Sequence, residues 1–230
     1  MVFDFDAFYP ISGTESGSPV DNMTEKTPER HLILASQSSV RARLLRDAGV
    51  AFETRPAFVD EASLIGEAGK KMPSEIAVEL ATAKARAVGK RDPQAIVIGG
   101  DQLLTVDGTV LQKPVDLEAA HRRLSLLSGR SHELVTAVVL VLDDRVVWQH
   151  VETARLFMHA LSSDEIAAYL KEDGPEVLQS VGSYRLEGPG IRLFAKLEGD
   201  YFAMLGLPLV PLLAALRQKS SELISGAASK

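Results

Sequence analysis

The chain has 230 residues, of which 46% are hydrophobic and 24% charged, with a formal net charge of -6. That length and apolar content suffice for a sizeable core in one large domain or two small lobes, whereas the acidic balance argues against a binder of nucleic acid polymers, whose affinity comes from clustered lysine and arginine. The lack of cysteine excludes disulfides, zinc-thiolate sites and thiol redox chemistry, and no apolar run approaches the roughly 20 residues that a membrane helix needs.

Residues 1–30 carry early acids and no lysine-flanked apolar core, resembling neither a signal peptide nor a transit peptide. The expectation is a disordered N-terminal extension over 1–30, one domain over 31–230, and a cytoplasmic location. Leu32 to Ala35 is a short unalternating apolar run, the pattern of a strand buried on both faces. Ser36, Gln37, Ser38 and Ser39 follow as hydroxyl-rich capping candidates, and an amphipathic helix then carries Arg41 and Arg43 in its first turns. The amides and positive dipole end of such a helix favour an anion over the strand end, and a phosphate suits that place.

Phe52 to Val59 reads as a second strand ending at Asp60 and Glu61. Pro73 to Arg91 is helical in pattern, with Ile76, Leu80, Ala83 and Ala87 along one stripe and Lys84 beside it. Ala95 to Gly99 reads as a buried strand delivering Asp101 at its C-terminal end, where open α/β sheets place their ligands. Leu103 to Val106 and Thr109 to Leu111 flank an Asp107-Gly108 turn, the short-hairpin signal, and the return strand folds Lys113 and Pro114 back toward Asp101. A helix over Asp116 to Leu127 precedes an antiparallel pair, His132 to Leu142 and Val146 to Leu156. Ser162 and Glu165 form a capping box opening a helix to Leu170, and Pro208 to Ile224 is an apolar helix suited to packing on the sheet. The alternation predicts an α/β fold, with a middle section between outer elements making two lobes and a cleft.

Local groups of charged or hydroxyl side chains thus stand beside strand ends: Ser36 with Arg41, Asp60 with Glu61, Gly100 with Asp101, and Gln112 with Lys113. Carboxylates there suit a hard divalent cation, and lysine and arginine suit the oxygens of a polyphosphate. Together they support metal-assisted phosphoanhydride hydrolysis. Singly each has an ordinary explanation: Asp101 as a strand-end cap, Lys84 as a surface helix residue, Lys113 as a solvated edge lysine, Glu187 as a turn carboxylate. The histidines fit no metal or triad motif, since HELVT at His132 lacks the second histidine of a zincin helix and reads as a strand.

The order of these groups resembles the Maf family of nucleoside triphosphate pyrophosphatases from about His31 to Leu216. The matching residues are Leu34, Ala35, Ser36, Gln37, Ser38, Ser39, Arg41, Leu44 and Leu45 at the opening, then Asp60 and Glu61, Ala83 to Ala85, IGGDQ at Ile98 to Gln102, Lys113-Pro114, LSGRSH from Leu127 and GLPL from Gly206. Ser39 stands where the family usually has proline, and Val40 where many members have a further arginine. The resemblance implies a Maf/ITPase-like mixed twisted sheet flanked by helices, and cleavage of a nucleoside triphosphate between its α and β phosphates by water. It also implies a divalent cofactor, Mg2+ or Mn2+, and a possible homodimer. By it, Ser36 and Arg41 hold phosphate, Glu61 and Asp101 bind metal or activate water, with Asp101 catalytic, and Lys84 and Lys113 neutralise phosphate charge. Gln102 and Glu187 stand where dTTP- and UTP-acting members usually have threonine and glutamine, and both departures resemble the branch acting on 7-methyl-GTP. A carboxylate beside a methylated, cationic guanine is favourable. The alternatives are a dTTP/UTP pyrophosphatase and a non-catalytic nucleotide-binding regulator of cell division.

Overall fold

A computed structural model describes residues 30–224, so the expected N-terminal extension lies almost wholly outside the described residues. Seven strands form one mixed sheet in the order β2-β1-β3-β5-β6-β7, with β4 attached to β3 off that path. β1 (Leu32–Leu34) runs parallel to β2 (Glu53–Thr54) and to β3 (Ile96–Val106). The remaining pairs, β3 with β4 (Thr109–Leu111) and with β5 (Ser131–Leu142), β5 with β6 (Arg145–Met158), and β6 with β7 (Phe194–Glu198), are antiparallel.

Alternation along these strands sorts side chains to two faces. Ile33, Val97 and Val139 pack beneath α3 (Pro73–Gly89), while Leu34, Ile98 and Val138 pack against α1 (Ser39–Asp47) and α7 (Leu209–Ile224). A third cluster, including Leu104, Leu124, Leu156, Ile166 and Tyr169, joins the far part of the sheet to α4 (Leu117–Leu127) and α5 (Ser163–Asp173). α5 opens with the expected capping box, in which the Ser162 amide donates to Glu165 at 2.7 Å and the Glu165 amide donates to Ser162 Oγ at 3.3 Å. Among the described residues, no helix is long and apolar enough to cross a membrane.

Two differences from the sequence reading matter for the site. The second strand is only Glu53–Thr54. Its ladder continues one bond further, from the Arg55 amide to Leu34 O, and ends at Pro56, which has no N–H to donate. The IGGDQ segment, read as a strand end, lies instead inside the unbroken strand Ile96–Val106, so Asp101 is mid-strand. One edge of that strand pairs with β5 from Val97 to Thr105. Its other edge pairs with β1 over Ile96 to Ile98 and with β4 over Leu104 to Val106. Gly99 to Leu103 therefore present an edge without a strand partner among the described residues, and the sheet splits at Asp101. The Asp107-Gly108 turn that sends β4 away has φ 48° and 76°, the left-handed pair that a two-residue hairpin requires.

Buried within β5, His132 is 2% exposed and its Nε2 lies 2.7 Å from the Tyr184 hydroxyl. Burial lowers its pKa to about 4, well below the roughly 6.5 of an unfolded histidine. The unfolded chain therefore takes up this proton first. Stability from neutral His132 is complete above about pH 6.5 and is lost as the pH falls toward 4, by an amount on the order of 3 kcal/mol. Urea midpoints of the wild type and His132→Gln, measured from pH 7.5 to 4.5, are expected to converge with acidification. Parallel curves would show that His132 contributes nothing to acid sensitivity.

Candidate active site

The split in the sheet opens into a cleft of about 1100 Å³. All eight residues singled out from the sequence line it: Ser36, Arg41, Glu61, Lys84, Asp101, Gln102, Lys113 and Glu187. Arg43, on the same helix as Arg41, is exposed and does not line the cleft.

Strand parity aims Asp101 at α3. Val97, Gly99, Asp101 and Leu103 share one face of β3, and α3 comes so close there that a Cβ on Gly99 would lie 2.1 Å from Ala81 O. That approach brings Lys84, one turn beyond Ala81, onto the 4%-exposed Asp101, with Nζ to Oδ1 at 2.5 Å. The same ammonium meets Glu61 Oε1 at 2.8 Å. Glu61 opens α2 (Glu61–Glu67), whose N-cap Asp60 accepts from the Ser63 amide at 3.1 Å. Burial pushes the Glu61 carboxyl up, but the hydrogen bond and charge of Lys84, with Lys113 and Arg41, outweigh it and hold the group below the usual carboxylate range.

The other face of β3 meets Arg41. Its guanidinium donates from Nε to Gly206 O at 2.7 Å and from Nη1 to Ser36 Oγ at 3.2 Å. Gly206, at φ 98°, turns its carbonyl toward that guanidinium in a conformation that other residues rarely adopt. Ser36, 6% exposed, also accepts from the Ser38 amide at 3.1 Å, so both lone pairs are used and its proton is free to be donated into the cleft. Ser38 caps α1 through the Arg41 amide. Ser39 and Val40, which open that helix, line the same cleft, and the first amides of a helix have no partner within it. Burial lowers the Lys113 ammonium, and the neighbouring Arg41 and Lys84 add to this against Glu61 and Asp101.

Gln102 and Glu187 have different standing. The Gln102 amide nitrogen donates to Thr136 Oγ1 at 2.9 Å, Ala203 O at 2.9 Å and Met204 O at 3.1 Å, tying β3 to α6 (Tyr201–Met204). Only its Oε1 is left to accept from a ligand. Glu187 makes no hydrogen bond or close ion pair among the described residues, though its charge acts on Arg185, and it lines the cleft in a wall formed by the segment after α5. That wall also carries Glu176, Tyr184 and Arg185, which the sequence did not single out. Arg185 stands two residues before Glu187 in the same SYRLEG run, so its signal was present but read only for the carboxylate. Phe58, 76% exposed, lines the cleft on the side of Glu61 and gave no signal beyond strand hydrophobicity.

Three cations, Arg41, Lys84 and Lys113, here face two carboxylates, Glu61 and Asp101. A triphosphate brings far more negative charge than this single excess. Among the described residues, no three His, Asp or Glu side chains group into a metal cage. Two adjacent carboxylates nevertheless fit Mg2+, which is typically held by one or two carboxylates together with substrate phosphates and waters.

Residues 31–219 match the family model described as Maf-like protein. The chain is 50% identical over 188 residues to a protein of Nitrobacter winogradskyi named nucleoside triphosphate pyrophosphatase, covering 82% of this chain and 93% of that one. It is 45% identical over 191 residues to a 7-methyl-GTP pyrophosphatase of Brucella abortus, covering 82% and 96%. It is also 48% identical over 189 residues to a 7-methyl-GTP pyrophosphatase of Rhizobium meliloti, covering 81% and 95%.

Proposed function

The chain belongs to the Maf family, and from that premise we propose that it hydrolyses the α–β phosphoanhydride of nucleoside triphosphates, releasing pyrophosphate and a nucleoside monophosphate, with 7-methyl-GTP as its preferred substrate. The observation that carries this reading is the ammonium of Lys84 held between Glu61 and Asp101 at the split in the sheet, with Arg41 and Lys113 beside it. Phosphoryl transfer asks a protein mainly for positioning and for positive charge where negative charge develops. Ser36 and the first amides of α1 offer donors to non-bridging oxygens, Arg41 and Lys113 neutralise them, and Lys84 orients the two carboxylates. Asp101 accepts a proton from the attacking water. Glu61 and Asp101 would hold a Mg2+ or Mn2+ ion, which when bound supplies Lewis acidity toward the phosphates. A cytoplasmic setting, where nucleoside triphosphates are made, belongs to the same proposal.

Preference for a methylated guanine is supported by Glu187, whose carboxylate faces the charge of Arg185 but is hydrogen-bonded to no described residue and so suits a base that carries positive charge and N–H donors. The Oε1 of Gln102 offers a second acceptor. Glu187→Gln keeps the shape and removes the charge. It is expected to lower the rate ratio of 7-methyl-GTP to UTP hydrolysis by roughly ten- to hundredfold, the worth of a charge-assisted hydrogen bond of about 1.5–3 kcal/mol. Steady-state pyrophosphate release on both nucleotides measures it, and an unchanged ratio would remove Glu187 from base recognition.

A further inference from the structure

The wall that carries Glu187 is an irregular segment. Ser180 to Gly188 form neither helix nor strand between the short 3-10 helices Gly174–Gln179 and Pro189–Leu193, and Ser183 sits at φ 61°. Such a segment has no ladder of its own to fix it, so side chains must do so. Tyr184 is bound to His132, and the Arg185 guanidinium to Asp173, with Nε 3.0 Å from Oδ2. The Arg185 amide donates to the Tyr169 hydroxyl at 3.2 Å. These anchors hold the wall to the sheet and to α5.

Arg123, on α4, does something else. From one guanidinium, Nη1 donates to Val181 O in the wall and Nη2 donates to Gln112 O at 2.7 Å. Gln112 directly precedes Lys113. Both bonded residues line the cleft, whereas Arg123 does not. Burial lowers the guanidinium pKa, yet an arginine stays charged and presents its donors in a rigid planar fork.

We propose that Arg123 is a positioning residue that sets the Lys113 segment and the nucleobase wall at a fixed separation, so that base recognition and phosphate neutralisation are coupled through one side chain outside the cleft. This rests on the pyrophosphatase reading. A correct base seated against the wall then finds Lys113 in place at the phosphates. With the fork removed, the two segments relax independently, and misplacement by an ångström is enough to cost about a hundredfold in rate.

The test uses Arg123→Met, which keeps an unbranched stem without donors, and Arg123→Lys, which keeps charge but lacks the planar fork that spans two carbonyls. The wild type is assayed first on 7-methyl-GTP and UTP with Mg2+; no pyrophosphate from either would sink the pyrophosphatase reading itself. Given wild-type turnover, Arg123→Met is expected to lose about ten- to hundredfold in kcat, together with a severalfold fall in the 7-methyl-GTP to UTP ratio, at temperatures where circular dichroism shows it folded. Arg123→Lys should show smaller losses in both. Should Arg123→Met fail to fold, the lysine variant carries the test alone. Loss of thermal stability with kcat and ratio intact, or a change in only one of the two, would overturn the proposal.

Discussion

Replacing Asp101 with asparagine is expected to lower kcat for pyrophosphate release by at least about a thousandfold while leaving the fold in place. The side chain is 4% exposed within β3, and asparagine fills the same volume. Lys84 keeps a carboxylate partner in Glu61, 2.8 Å away, so no isolated buried charge results. What disappears is the carboxylate at the split of the sheet, where it would accept a proton and help hold a cation. Single-turnover kinetics separates this from weakened binding, since loss of the chemical step lowers the rate at saturating nucleotide. A kcat within tenfold of the wild type would remove Asp101 from the chemistry.

The second large effect concerns Lys84, where stability and activity are expected to part company. Lys84→Met preserves helix propensity in α3 but leaves Asp101, whose side chain is 6% exposed, without its hydrogen-bonded ammonium, with only the charges of Arg41 and Lys113 still acting on it from further away. Breaking a buried pair from one side typically costs about 3–5 kcal/mol, because the remaining charge is stranded. Adding Asp101→Asn removes the stranded charge, so the double variant should regain most of the stability lost by Lys84→Met and none of the activity. Urea unfolding of both single variants and the double one checks this. A double variant as unstable as the sum of the singles would mean that the pair is not the source of the cost.

Much of this site could be read in the sequence because its parts are local. A strand, a serine cap and an arginine on the first helical turn occur within ten residues, and Ser36, Ser38 and Arg41 occupy the places that the pattern implies. The Asp107-Gly108 turn and the Ser162 capping box were equally legible, since turn and cap chemistry is set by neighbours in the chain. Asp101 does line the cleft, but the sequence placed it there for a partly mistaken reason. Gly99-Gly100 looked like the end of a strand, but there glycine serves the close approach of α3, and the site forms where one edge of a continuous strand loses its partner. No periodicity announces such a split. The wall from Ser180 to Gly188 was nearly opaque for the same reason, having neither a helical nor a strand period. Arg123 was invisible, because an arginine on an amphipathic helix reads as solvated until the carbonyls of Gln112 and Val181 are seen to converge on it.

The measurement that bears most directly on the central claim is product analysis after mixing the full chain and Mg2+ with 7-methyl-GTP, GTP, dTTP, UTP and CTP in parallel, scoring pyrophosphate and orthophosphate separately. Pyrophosphate with the matching monophosphate, released fastest from 7-methyl-GTP, is the expected result. Release fastest from dTTP or UTP would keep the reaction and refute the role given to Glu187 and Gln102. Orthophosphate as the product, or no turnover of any nucleotide that binds, would contradict α–β hydrolysis at the Glu61, Lys84 and Asp101 cluster.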